Sequence, residues 1–148
     1  MKTFFMWTRM LLLAFMMAPV ASAAPAAAPT LQRAEWKAIE LAIGSQRAAM
    51  LAGDGAKALT FATPAIRDQF GSPDRFMRMV RDGYAPLLAA RDTKFLEGAV
   101  IEGAVIQPLR LILPDNTVLV AIYQMEKQKD GRWKIAGCVL APSTVQAT

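Results

Sequence analysis

Histidine is absent from the 148 residues, and cysteine occurs once, as Cys138. Without imidazole the commonest general base and the commonest metal ligand are missing. Classical zinc sites and Ser-His-Asp or Cys-His machinery are therefore excluded. A carboxylate or tyrosine mechanism stays open. A single cysteine allows no disulfide within the chain. The cations, 17 against 12 carboxylates, are scattered rather than clustered, so nucleic-acid binding is not implied. A long apolar run is lacking too. The one that exists, Met10 to Val20, is about eleven residues, too short to span a bilayer as a helix.

That short run has the size of a signal-peptide core. Lys2 and Arg9 supply a positive start before it, and Ala21-Ser22-Ala23 gives a small-x-small cleavage pattern behind it. Cleavage is expected after Ala23, because a cut after Ala24 would leave Pro25 directly behind the scissile bond. Residues 1–23 are thus read as a signal, and the mature protein as periplasmic or secreted with no stable membrane span. Cleavage removes two cations and no anion, so the formal charge falls from +5 to +3. The remaining chain, 125 of 148 residues, is one small domain. Residues 24–29, rich in Ala and Pro, form a disordered lead. The domain proper runs over 30–141, and residues 142–148 form a flexible tail.

Helices come first. Thr30 is the expected N-cap of a helix over Leu31 to Leu51, with Ala34, Ile39, Ala42, Ile43, Gln46, Ala49 and Met50 at helical spacing. Gly53-Asp54-Gly55 ends it and caps a short segment, Ala56 to Ala62, anchored by Leu59 and Phe61. Thr63-Pro64 and Ser72-Pro73 then repeat one device, a hydroxyl N-cap followed by Pro at the first helical position. The first opens a turn or two ending at Gly71. The second opens a helix through Asp82 that buries Phe76, Met77 and Val80, with Met79 at its margin. Arg75, Arg78 and Arg81 recur every three residues and read as a solvated face.

Strands follow. Tyr84-Ala85-Pro86 breaks the helix and turns the chain into a sheet. Asp92 to Gly98 reads as a first strand with Thr93, Phe95 and Glu97 on one side. Ala99 to Ile101 either continues it through a bulge or forms a hairpin. Ala104 to Leu113 is the next strand, and Pro108 within it argues for an edge position or a bulge. After the turn at Pro114-Asp115-Asn116, Thr117 to Gln128 forms a strand apolar on both faces at its start, as if covered on both sides. Asp130-Gly131 is a hairpin signal. Arg132 to Leu140 returns, with Trp133, Ile135, Gly137 and Val139 on one face. The fold class is α+β: N-terminal helices packed on a curved antiparallel sheet of three to five strands, a cone-like roll.

Three stretches together resemble the bacterial family of domain of unknown function 4864. The first is Gln46, Gly53-Asp54 and Ala58 through Phe61-Ala62-Thr63-Pro64-Ala65-Ile66. The second is Phe70-Gly71, Phe76, Met79-Val80 and Gly83-Tyr84-Ala85-Pro86. The third, and most specific, is Ala121-Ile122-Tyr123-Gln124-Met125 with Asp130-Gly131-Arg132-Trp133-Lys134-Ile135-Ala136-Gly137-Cys138-Val139-Leu140. The resemblance implies a layout similar to the nuclear-transport-factor-two-like, ketosteroid-isomerase-like cone folds. It implies no activity. Ala99 to Leu113 departs from the family pattern.

In a cone the pocket lies between the concave sheet and the helices. Gln46, Tyr84 and Tyr123 are the candidate ligand-binding residues, each with a plain alternative as core or wall packing. No catalytic residue, metal site or cofactor is assigned. Asp68, Asp92 and Glu97 are the carboxylates that would have to act as a base in an isomerase or lyase. Trp133 is read as a core anchor. Cys138 is either a buried inert thiol or half of a disulfide between two chains. The expected function is a non-catalytic module for a small apolar ligand or a protein partner. The alternatives are a carboxylate-and-tyrosine isomerase or lyase, and a self-associating homodimeric module.

Overall fold

The computed structural model describes residues 30–143. The expected signal, its cleavage point, the Ala/Pro lead over 24–29 and most of the tail lie outside them. Five helices precede five strands: α1 (Arg33–Leu51), α2 (Gly55–Thr60), α3 (Pro64–Phe70), α4 (Pro73–Gly83), α5 (Ala85–Ala89), then β1 (Asp92–Phe95), β2 (Ala99–Ile101), β3 (Ala104–Ile112), β4 (Val118–Lys127) and β5 (Trp133–Pro142). The α+β class stands. Among the described residues no helix is long and apolar enough to cross a membrane.

The caps explain the helix boundaries. Gln32, not Thr30, caps α1, where its own N–H is taken by Glu35 Oε2 at 3.2 Å. Asp54, Thr63 and Ser72 each accept a backbone N–H three residues on, opening α2, α3 and α4. Ile39, Ala42, Ile43, Gln46, Ala49 and Met50 form the buried stripe of α1, but Ala34 is exposed. Arg75, Arg78 and Arg81 are exposed on α4 while Phe76, Met77 and Val80 are buried. Tyr84-Ala85-Pro86 does not lead straight into the sheet. Pro86 sits in the first turn of α5, where its missing N–H costs nothing.

The sheet order is β1-β3-β4-β5, entirely antiparallel, with β2 also paired to β3. β1 and β2 therefore share one edge, end to end. β1 stops at Phe95, so Glu97 is outside the strand and exposed. Ala99 to Ile101 takes the hairpin option, turning on Glu102 and Gly103 at φ 50° and 82°. Pro108 is thus not on an edge strand. Its carbonyl accepts from Leu96 N at 3.0 Å, so its missing N–H points at the gap between β1 and β2. Gln107, 1% exposed, fills that gap by donating Nε2 to Leu96 O at 2.8 Å and to Pro108 O at 3.0 Å.

The helices cover one face only. Leu109, Leu111, Ala121, Tyr123, Met125, Trp133 and Ile135 point toward them and pack on Ile39, Ile43, Leu59 and Val80. A bulge at Ala136 resets the alternation of β5, since Met125 pairs with Ile135 but Gln124 with Gly137. Cys138 and Leu140 consequently join the helix-facing side, and Val139 is 57% exposed on the other. This corrects the single face expected for Trp133, Ile135, Gly137 and Val139. Among the described residues no helix covers the outer face of β4. At the apolar start of β4, Val118 is buried, and Val120 and Ile122 are partly exposed. β5 also continues past Leu140 to Pro142.

One loop ties the helical layer to the sheet edge. Ile135 N donates to Phe61 O at 2.8 Å, and Thr63 N donates to Ile135 O at 2.9 Å, forming a parallel bridge at Ala62. This blunts the free edge of β5 and fixes where α3 starts.

Candidate functional site

The site is a cavity of about 340 Å³ between the helices and the β4–β5 side of the sheet. α3 has no fully buried residue. It is held by the Phe61–Thr63 bridge at one end and by Phe70 at the other. Phe70 meets Phe76 of α4 edge-on, with ring centroids 5.5 Å apart at 72°, which closes the outer wall. α5 closes the far end through Leu87. Its position is set from α1: Arg47 Nε donates to Leu87 O at 2.8 Å and Nη2 to Ala90 O at 3.2 Å. A fixed guanidinium fork thus satisfies carbonyls at the helix C-terminus.

All three residues singled out as ligand-binding candidates line this one cavity: Gln46, Tyr84 and Tyr123. They reach it from α1, from the α4–α5 junction and from β4. Gln46 donates Nε2 to Ala58 O at 3.3 Å. Tyr84 donates its hydroxyl to Cys138 O at 2.7 Å. Burial raises its pKa. Tyr123 is 1% exposed, and its hydroxyl is buried with no hydrogen-bond partner. It lies beside the Cys138 thiol, a weak partner, with no bond of ordinary geometry between them. Burial drives the Tyr123 phenol strongly upward from its ordinary value, so it stays a neutral O–H donor.

Cys138 belongs to the same wall. It is half-buried, and desolvation pushes its thiol up to about 12. The thiolate needed for disulfide exchange or nucleophilic attack is therefore scarce at neutral pH. Its place in the cavity was hidden in the sequence by the bulge at Ala136. With the bulge counted, Cys138 falls opposite Tyr123.

Asp68, Asp92 and Glu97 are all exposed, and none lines the cavity. Indeed no charged side chain lines it. Among the described residues no group of three or more carboxylates or thiols could hold a metal ion. Trp133 is buried in the core, as read.

A family model described as Domain of unknown function (DUF4864) matches residues 32–148. The chain belongs to that family. The match takes in every element of the domain, including both walls of the cavity. No curated protein and no solved structure matches the chain. The layout of this DUF4864 domain therefore rests on its own helices and strands.

Proposed function

We propose that this DUF4864 domain is an exported, non-catalytic module that holds a small, largely apolar ligand between its helices and its sheet. The observation that carries the reading is the cavity itself. Its volume lies at the lower end of the range of small-molecule sites. Its lining is mostly apolar, with a few polar groups: Gln46, Tyr84 and Tyr123 inside and Gln69 at the rim. The export part rests on Lys2, Arg9, the Met10–Val20 run and Ala21-Ser22-Ala23. An isomerase or lyase is the weaker reading. The cavity wall offers no carboxylate as a base, and its tyrosines are held protonated.

Native mass spectrometry of protein purified from its own periplasm tests the proposal. A bound small molecule on a chain starting at Ala24 is expected. Gln69 is exposed at the rim of the cavity, so Gln69→Trp should plug the mouth at little cost to the fold and release the ligand. An intact residue 1–23 segment would sink the export claim. Equal ligand retention by Gln69→Trp would sink the cavity claim.

The uncovered outer sheet face favours a second reading, self-association. Ile101 and Val139 are each 57% exposed there. Sedimentation equilibrium separates the two: a monomer throughout a wide concentration range ends the second reading and leaves the first intact.

A further inference from the structure

The unsatisfied Tyr123 hydroxyl defines the chemical class of the ligand. Buried polar groups are almost always hydrogen-bonded, and an orphan needs a specific reason. Tyr123 has no protein partner for its proton, yet the residue is 1% exposed and lines the cavity. None of the neighbouring polar groups bonds to it. Tyr84 directs its own proton to Cys138 O. Gln46 directs Nε2 to Ala58 O. The Cys138 thiol approaches Val139 O at 4.0 Å. The Tyr123 O–H is the buried donor of the wall that no protein acceptor takes.

Charge narrows the class further. No lining residue is charged. Arg47 acts on Tyr123 from outside the lining, and two of its guanidinium N–H groups are turned to the Leu87 and Ala90 carbonyls. A carboxylate or phosphate in this cavity would lose its hydration and meet no cation in the lining. The apolar remainder, Met50, Ile66, Phe76, Val80 and Leu87 among it, asks for hydrocarbon.

The geometry points to a neutral, mainly hydrocarbon ligand carrying one hydrogen-bond acceptor, a carbonyl oxygen in the simplest case, which takes the proton of Tyr123. This deepens the ligand-binding reading and rests on it.

Three probes of one shape test it by calorimetry on the mature domain: 2-acetylnaphthalene, 2-ethylnaphthalene and 2-naphthoate. Tyr123→Phe should weaken the ketone about three- to tenfold, the value of one neutral hydrogen bond, and change the hydrocarbon less than about twofold. The carboxylate should bind worst. The carbonyl stretch of the ketone, read in the infrared on unmodified protein, should fall on binding relative to its position in alkane solvent. That readout does not depend on the variant folding. Equal losses for ketone and hydrocarbon, an unshifted carbonyl band, or preference for naphthoate would each overturn the inference while leaving the cavity a ligand site. Failure of all three probes to bind, with the plugged Gln69→Trp protein behaving identically, would overturn both.

Discussion

Gln107 supplies the hydrogen bond that Pro108 cannot. Leu96 donates its N–H to Pro108 O, and an ordinary residue at 108 would donate an N–H back to Leu96 O. Proline has none. The Gln107 side chain takes its place, with Nε2 2.8 Å from Leu96 O. Gln107→Leu should therefore destabilise the domain by about 1–2 kcal/mol, since it strips a partner from a strand carbonyl and leaves no substitute. Adding Pro108→Val should restore much of the loss, because it returns the backbone N–H. Urea denaturation of the two single variants and the double variant checks this. Additive losses would show that the two residues are independent.

Gly98 lies against the indole of Trp36, and that contact joins the interrupted sheet edge to α1. A Cβ at Gly98 would collide with Trp36 Cζ3. No real Cβ sits so close to a ring carbon, so the ring must move. Trp36 is only half-buried, which leaves it somewhere to go. Gly98→Ala should cost about 1–3 kcal/mol, the usual range for overpacking. Trp36 fluorescence should shift toward longer wavelength as the ring enters water. Trp36→Ala in the same chain should remove most of the additional penalty of Gly98→Ala.

The hydroxyl-Pro pairs, the apolar stripe of α1 and the Asp130-Gly131 hairpin were legible because each is a local rule written in adjacent residues. Gln46, Tyr84 and Tyr123 were legible as candidates because polar groups on apolar faces stand out in a periodic pattern. That they share a cavity is a tertiary fact. The errors have a common cause. The bulge at Ala136 leaves no mark in the sequence, yet it moves Cys138 to the helix-facing side and Val139 to the outside. Pro108 was legible as an anomaly. Its remedy lay next door in Gln107, but only the strand order shows which neighbour is interrupted. Arg47 was missed because its partners are the carbonyls of Leu87 and Ala90, about forty residues away, and backbone carbonyls carry no sequence signal.

Arg47 should prove more important than a half-exposed cation usually is. It holds α5, a helix of only five residues that closes one end of the cavity. A helix that short has little stability of its own. Arg47→Ala removes two charge-assisted bonds and should cost about 2–3 kcal/mol. Arg47→Lys should recover only part of this, since an ammonium lacks the rigid planar fork that meets both carbonyls. Amide exchange should speed up first around Leu87 to Ala90 in Arg47→Ala. Uniform acceleration across the domain would mean that Arg47 acts on global packing instead.

Alkali should expose the buried acids of the cavity wall. The Cys138 thiol titrates near 9.0 ordinarily and is pushed up to about 12 in the fold. Below pH 9 both folded and unfolded chains keep this proton, so it has no effect on stability. Above pH 9 the unfolded chain loses the proton while the folded chain holds it, so the unfolded state binds fewer protons and stability falls as pH rises. Tyr84 and Tyr123, both raised from 10.0, add to the decline at higher pH. Stability should thus be flat near neutrality and drop progressively between about pH 9 and 12. Cys138→Ala should abolish the first part of that fall, and Tyr123→Phe should lessen the later part. The same burial predicts slow reaction of the thiol with an aromatic disulfide reagent at pH 8 in native protein and fast reaction in urea. Fast reaction in both, or a dimer that dissociates only on reduction, would show that Cys138 is open to solvent and to a second chain.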